Sequence, residues 1–177
     1  MTETEYDVVA VGCGPFNLGL AALADGVDDL RVAVFDRAPE LRWHPGVMFG
    51  DAMLQVNFLA DLVTLVDPTH RLSFLAYLRE ADRLFPFYVR EQFHPTRREY
   101  EDYLRWAVSE LPSVQFGHDV ASVAWDAAAG CFRLEVVDPD GATVTVSAGD
   151  VVLGIGTEPF VPSALAGLPD ERLLHSS

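Results

Sequence analysis

The chain has 177 residues, half of them hydrophobic, and a net charge of −15. That length is about one domain with room for a buried core, and the acidic balance opposes binding to nucleic-acid phosphates or anionic membrane surfaces. The two cysteines, Cys13 and Cys131, form neither a disulfide framework nor a paired metal-ligand spacing, which fits a reducing, cytoplasmic setting.

The polar, acidic start Met1–Glu5 is no signal peptide, and no apolar stretch is long enough to span a bilayer. The first third then reads strand, helix, strand. Asp7–Val11 is an apolar strand, Phe16–Ala24 a helix of small residues, and Leu30–Phe35 a second strand. Apolar runs without alternation predict strands covered on both faces, as in a parallel sheet. A loop from Arg37 to about Asn57 follows, punctuated by Pro39, Pro45, Gly46 and Gly50. Loops of that length are functional or disordered; Trp43, Met48, Phe49 and Met53 argue against disorder.

Ser73–Leu84 predicts a helix with Phe74, Leu75, Leu78, Ala81 and Phe85 on one stripe. Thr96 and Glu99 have capping-box spacing, and Tyr100, Tyr103, Leu104, Ala107, Val108 and Leu111 continue a helix from there until Pro112. From Val114 the pattern turns to strands: Val120–Trp125, Phe132–Val137, Thr143–Val146 and a buried Val151–Leu153. Asp138-Pro139-Asp140-Gly141 supplies a turn between two of them. The expected fold class is α/β: a Rossmann-like dinucleotide-binding domain with a parallel sheet, a helical insertion and a β-meander.

Chemistry concentrates at Gly12-Cys13-Gly14-Pro15-Phe16-Asn17, between the first strand and its helix. Gly12 permits a tight turn and Gly14 lets a pyrophosphate approach the backbone, while the helix N-terminus offers free N–H groups. The usual third glycine is replaced by Asn17. Asp36 lies at the end of the second strand, about 20 residues on, where a carboxylate binds ribose hydroxyls and repels a 2′-phosphate. It favours FAD or NAD over NADP; the neighbouring Arg37 weakens that exclusion.

Gly12–Ala21, then Trp43-His44-Pro45-Gly46, then Leu54–Leu62, together resemble the N-hydroxylating flavin monooxygenases of siderophore biosynthesis, the lysine, ornithine and diamine N-monooxygenases. Ser73–Leu78, Phe87–Glu91 and Tyr100–Trp106 look like the same family, so the resemblance covers nearly the whole chain. It implies a primary amine substrate, O₂ as oxidant, FAD as the reacting cofactor and NADPH as its reductant. No catalytic side chain and no metal site are implied. Gly12, Gly14, Pro15 and Asn17 would line the pyrophosphate turn. Asp36 and Arg37 to His44 would run along FAD, with Trp43 and His44 near the isoalloxazine; Gln55 and the backbone of Val120 would make further contacts.

Ornithine-specific members carry a Lys, which meets the substrate carboxylate, where this chain has Ala60. L-lysine is therefore the expected substrate, with a diamine such as cadaverine or putrescine, or ornithine, as alternatives. Asn57 stands where lysine-type members often have Pro. No second Gly-x-Gly-x-x-Gly follows, and Pro159 and Pro162 oppose a helix after Gly154-Ile155-Gly156, which looks like the family's linker strand past FAD. The expectation is one FAD-binding portion over residues 1–177, incomplete against a family with two dinucleotide domains, its NADPH domain absent and the chain inactive alone. A family homo-oligomer, a non-catalytic FAD-binding module and a small NAD-dependent oxidoreductase remain open at this point.

Overall fold

In the computed structural model, which describes residues 4–156, 160–165 and 167–168, the two opening strands separate two cores. In β1 (Thr4–Val11), Ala10 joins a core on the helical side and Val9 one on the opposite side. In β2 (Val32–Asp36), Val34 faces the first core while Ala33 and Phe35 face the second. Successive side chains of a strand point to opposite faces, so apolar runs without alternation are what two-sided cover requires.

Between these strands runs α1 (Pro15–Ala24), the crossover after which β2 pairs parallel with β1, from Val8 against Val32 to Val11 against Phe35. Its small residues matter sterically: a Cβ on Gly19 would lie 3.0 Å from the Leu62 carbonyl oxygen. The expected long loop has no helix or strand until residue 74, apart from a 3₁₀ turn at Pro45–Val47. It is held by side chains instead. The Asp61 carboxylate accepts from the amides of Val63 (3.0 Å), Thr64 (2.7 Å) and Phe74 (2.6 Å). Asn57 Oδ1 accepts from the Leu59 amide at 2.9 Å, which accounts for that residue as a turn former.

The helix expected over Ser73–Leu84 is two helices, α2 (Phe74–Glu80) and α3 (Leu84–Val89). Asp82 between them adopts a left-handed φ of 55°. In α2, Phe74, Tyr77 and Leu78 are buried and Leu75 is exposed; beyond the break Phe85 no longer continues the buried stripe and is exposed as well. In α4 (Arg97–Ser109) the Thr96 hydroxyl accepts from the Glu99 amide at 3.1 Å, but the reciprocal half of the capping box is absent. The Glu99 carboxylate, 4% exposed, instead faces Arg83 at 2.8 Å and Arg90 at 3.6 Å, tying α3 to the start of α4.

The chain then makes β3 (Val114–Phe116), β4 (Asp119–Asp126), β5 (Cys131–Val137) and β6 (Thr143–Leu153). The sheet order is β3-β2-β1-β6-β5-β4. Its first four strands are parallel, and β5 and β4 add antiparallel. Thr143–Val146 and Val151–Leu153 are thus one strand: the first part pairs with β5, and the rest continues along β1 as far as Val11 against Leu153. Its end is not buried, since Leu153 is 65% exposed. Thr157, Glu158, Pro159 and Leu174–Ser177 lie outside the described residues.

Candidate functional site

The C-terminal ends of β1, β2 and β6 meet at the glycine turn. Gly12 has φ +90°, a conformation that L side chains rarely adopt, and an added Cβ would sit 2.5 Å from the Gly154 carbonyl oxygen. The Gly12 amide donates to the Phe35 carbonyl at 2.8 Å and the Gly154 amide to that of Val11 at 2.8 Å, so the turn bridges all three strand ends. Asn17 lies beneath it, 2% exposed, and its Nδ2 donates to the carbonyls of Gly12 (2.8 Å) and Val11 (3.1 Å). A Cβ on Gly154 would collide with the Asn17 carboxamide. Asn17 therefore acts through the turn that it braces, at the position where the fingerprint has its third glycine.

Gly14 differs from Gly12. It caps α1 at φ −80°, and its missing Cβ would meet no protein atom closer than 4.0 Å. The space is open toward the groove. The amides of Phe16 and Asn17 have no acceptor among the described residues, and the first turn of α1 carries no acidic side chain. Free amides and a helix dipole in an open cradle suit an anionic group, a phosphate above all.

Asp36 closes the turn from β2. Its Oδ2 accepts from the Cys13 amide at 2.7 Å and its Oδ1 from the Ala38 amide at 2.8 Å. Burial, with the Asp36 carboxylate adding to it, pushes the Cys13 thiol up to about 12, so it is a neutral packing group. Each carboxylate oxygen keeps a lone pair for a hydroxyl.

Around the turn lies a groove of two joined compartments. One, about 380 Å³, is bounded by Val11, Phe35, Arg37, His118, Asp119 and Val120. The other, about 580 Å³, is bounded by Gly14, Pro15, Phe16, Trp43, His44 and Tyr100 among others. Gly12, Asp36, Ile155 and Gly156 belong to both. The anion cradle thus lines the larger chamber, and Gly12 and Asp36 beside it join that chamber to the smaller one, the continuity that an extended dinucleotide needs. A third space of about 300 Å³ adjoins the second through Pro15, Phe16 and Tyr100, and reaches Ala60 and Asp61.

Gly12, Gly14, Pro15, Asn17, Asp36, Arg37, Trp43, His44 and Val120 all come together on this groove. Gln55 does not: it is exposed and lies outside the lining, although Leu54 and Val56 on either side belong to it. Trp43 is well anchored. Its amide donates to Glu101 at 3.3 Å, the Arg97 guanidinium lies 4.6 Å from its ring, and Tyr100 packs at 5.1 Å. His44 meets its edge at 5.1 Å and holds a left-handed φ of 47°. Sequence reasoning missed His118, which is delivered by the link between β3 and β4, and Phe16, which is 93% exposed at the mouth. A glycine before His118 was the one local sign of a turn there. Among the described residues no cluster of His, Cys, Asp or Glu suits a metal ion, and no helix is long and apolar enough to cross a membrane.

A sequence model of the L-lysine 6-monooxygenase/L-ornithine 5-monooxygenase family matches residues 4–177. The chain belongs to that family. It is 42% identical over 174 residues to the rhizobactin siderophore biosynthesis protein RhbE of Rhizobium meliloti (strain 1021), covering 98% of this chain and 38% of that protein. It is 39% identical over 176 residues to the putrescine N-hydroxylase of Shewanella oneidensis, covering 99% and 35%. Among solved structures it resembles FAD-bound DfoA, the cadaverine monooxygenase of the desferrioxamine pathway of Erwinia amylovora, with TM-score 0.91 and 37% identity over 95% of this chain and 40% of that one. The chain thus spans between 35% and 40% of the length of these relatives. The family resemblance and the α/β fold expected from sequence both hold.

Proposed function

We propose that this chain is the flavin-holding portion of an NADPH- and O₂-dependent N-hydroxylase of a primary amine, serving hydroxamate siderophore synthesis. The observation that carries the reading is the open cradle at Gly14 and the α1 amides, in the larger chamber and beside Asp36, where the smaller chamber joins it. FAD fits it: the amides take the pyrophosphate, Asp36 takes ribose hydroxyls, and the larger chamber, walled by Trp43 and Tyr100, takes the ring system. Bound flavin supplies the activation of O₂ and the oxygen atom that passes to the amine. The residues here bind and orient; the NADPH site belongs to the part of the family length that this chain does not span.

Within that class a diamine is the better candidate than L-lysine. The third space is lined by Ala60 and Asp61 among others, with no cationic side chain in its lining. Such a space leaves an amino-acid carboxylate without an ionic partner. The sequence similarity to the putrescine N-hydroxylase and the fold similarity to the cadaverine monooxygenase point the same way.

Titration of the chain with FAD, FMN and NADP, followed by flavin fluorescence or equilibrium dialysis, tests the cofactor assignment. FAD is expected to bind more tightly than the others, and no uptake at high micromolar concentration refutes it. Substrate class is tested on a full-length protein carrying these residues: cadaverine and putrescine should outcompete lysine and ornithine, and an amino-acid preference refutes the diamine assignment.

A further inference from the structure

One wall of the smaller chamber has no role in the reading above. Gly117, at φ +72°, turns the chain out of β3; its amide donates to the Ala38 carbonyl at 2.7 Å, and the His118 amide to that of Asp36 at 2.9 Å. The link is therefore clipped to the end of β2. The His118 ring packs against the buried ring of Phe35, with centroids 5.7 Å apart and planes inclined by 34°. Its Nδ1 lies 2.9 Å from the Phe116 carbonyl oxygen. A carbonyl only accepts, so Nδ1 carries the proton, and in the neutral ring Nε2 holds a free lone pair. Among the described residues Nε2 has no hydrogen-bond partner.

The other polar side chains of that chamber are differently placed. Both Asp36 oxygens already accept backbone amides, and Arg37 and Asp119 are exposed at its rim. A locked imidazole with a free acceptor, packed on a fixed aromatic ring, is a device for reading a flat heterocycle with a donor on its edge.

We propose, resting on the FAD assignment, that His118 is the specificity-determining residue for the nucleobase, its Nε2 accepting a hydrogen bond from the exocyclic amino group of adenine. Hypoxanthine carries a carbonyl at that place. Two acceptors then face each other, and the base is rejected.

The test compares binding of FAD and its hypoxanthine analogue by flavin fluorescence at a pH where imidazole is neutral, with FMN, which lacks the nucleoside, as control. The parent chain is expected to prefer FAD by about tenfold, the effect of one hydrogen bond. In His118→Phe the preference should fall to about one while FMN affinity stays at the parent value. His118→Gln, which returns an acceptor near the place of Nε2, should recover part of it. Equal affinities in the parent, a preference retained in His118→Phe, or no recovery in His118→Gln overturns the proposal and leaves the FAD assignment standing. A parent that takes up no FAD overturns both.

Discussion

The two glycines of the turn do different work, and alanine at each separates them. At Gly12 an added Cβ would lie 2.5 Å from the Gly154 carbonyl oxygen, and φ is +90°. The left-handed backbone alone costs about 1–2 kcal/mol for a side chain. Forcing apart packed backbone adds about 1–3 kcal/mol. Gly12→Ala should therefore destabilise the flavin-free chain by about 2–5 kcal/mol, the sum of those two effects. Gly14 has φ −80° and ψ 171°, which alanine adopts freely, and its Cβ would meet nothing closer than 4.0 Å. The entropy that alanine removes from the unfolded chain, about 0.4–1 kcal/mol, offsets its weakness as a helix cap, so Gly14→Ala should change stability by less than about 1 kcal/mol. Its methyl group would nevertheless fill the cradle, so FAD affinity should fall although the fold is intact. Urea unfolding without flavin, beside FAD titration, reads both effects. A Gly14→Ala chain as destabilised as Gly12→Ala, or one that binds FAD like the parent, refutes this division of labour.

Asp36→Ala removes the acceptor of two amides and should cost about 2–4 kcal/mol of flavin-free stability, with Asp36→Asn recovering part; an unchanged urea midpoint in Asp36→Ala would contradict the clamp between Cys13 and Ala38. Glu99→Ala leaves two guanidinium groups without their shared carboxylate; because both arginines keep solvent contact, the loss should lie near 2 kcal/mol, below that of a fully buried pair. A double-mutant cycle of Glu99 with Arg83 checks it, and zero coupling would refute it. Cys13 makes stability fall in alkali. The unfolded thiol, near 9.0, releases a proton that the folded one keeps until about 12, so its contribution is complete below 9.0 and is lost as pH rises toward 12. Tyr100, also pushed up to about 12 by burial, adds to the slope above 10.0. Cys13→Ala should flatten the decline of the urea midpoint across this window, and an identical slope would dismiss the thiol.

The turn was legible because it rests on backbone constraints that a sequence states directly. A strand that runs into Gly12 and Gly14 before a helix, with Asp36 at the next strand end, has few alternatives. The break at Asp82 was hidden because the apolar stripe of α2 runs on unbroken in the sequence: Ala81 and Phe85 continue its period, and only the left-handed φ at Asp82 diverts the chain. Glu99 satisfied the capping-box pattern, yet the two arginines that flank α3, Arg83 and Arg90, outcompete one amide for its carboxylate. The length of β6 was hidden because its middle, Ser147-Ala148-Gly149-Asp150, reads as a turn; pairing with β1 on one side and β5 on the other keeps it extended, and the Gly149 Cβ position lies only 3.1 Å from the Asp7 carbonyl oxygen. His118 could not be found from spacing, since its place on the groove comes from two backbone hydrogen bonds, to Asp36 at the end of β2 and to Ala38 just after it, some 80 residues earlier in the chain.

A chain of net charge −15 that holds an anionic pyrophosphate needs a local source of attraction. Arg37 and Arg42 border the groove, but both are exposed, and Arg42 is drawn to Glu40 at 3.4 Å. Solvent and salt screen such charges over about 8–10 Å. The amides of Phe16 and Asn17 act at hydrogen-bond distance inside the cradle, where screening is least, and the dipole of α1 reinforces them. Asn17 and Asp36 spend their polar atoms on keeping that turn in one shape rather than on supplying positive charge. Selectivity then follows from geometry. A free phosphate gains the cradle alone, a mononucleotide gains one chamber, and only a ligand that spans both chambers collects every contact while paying the long-range repulsion once.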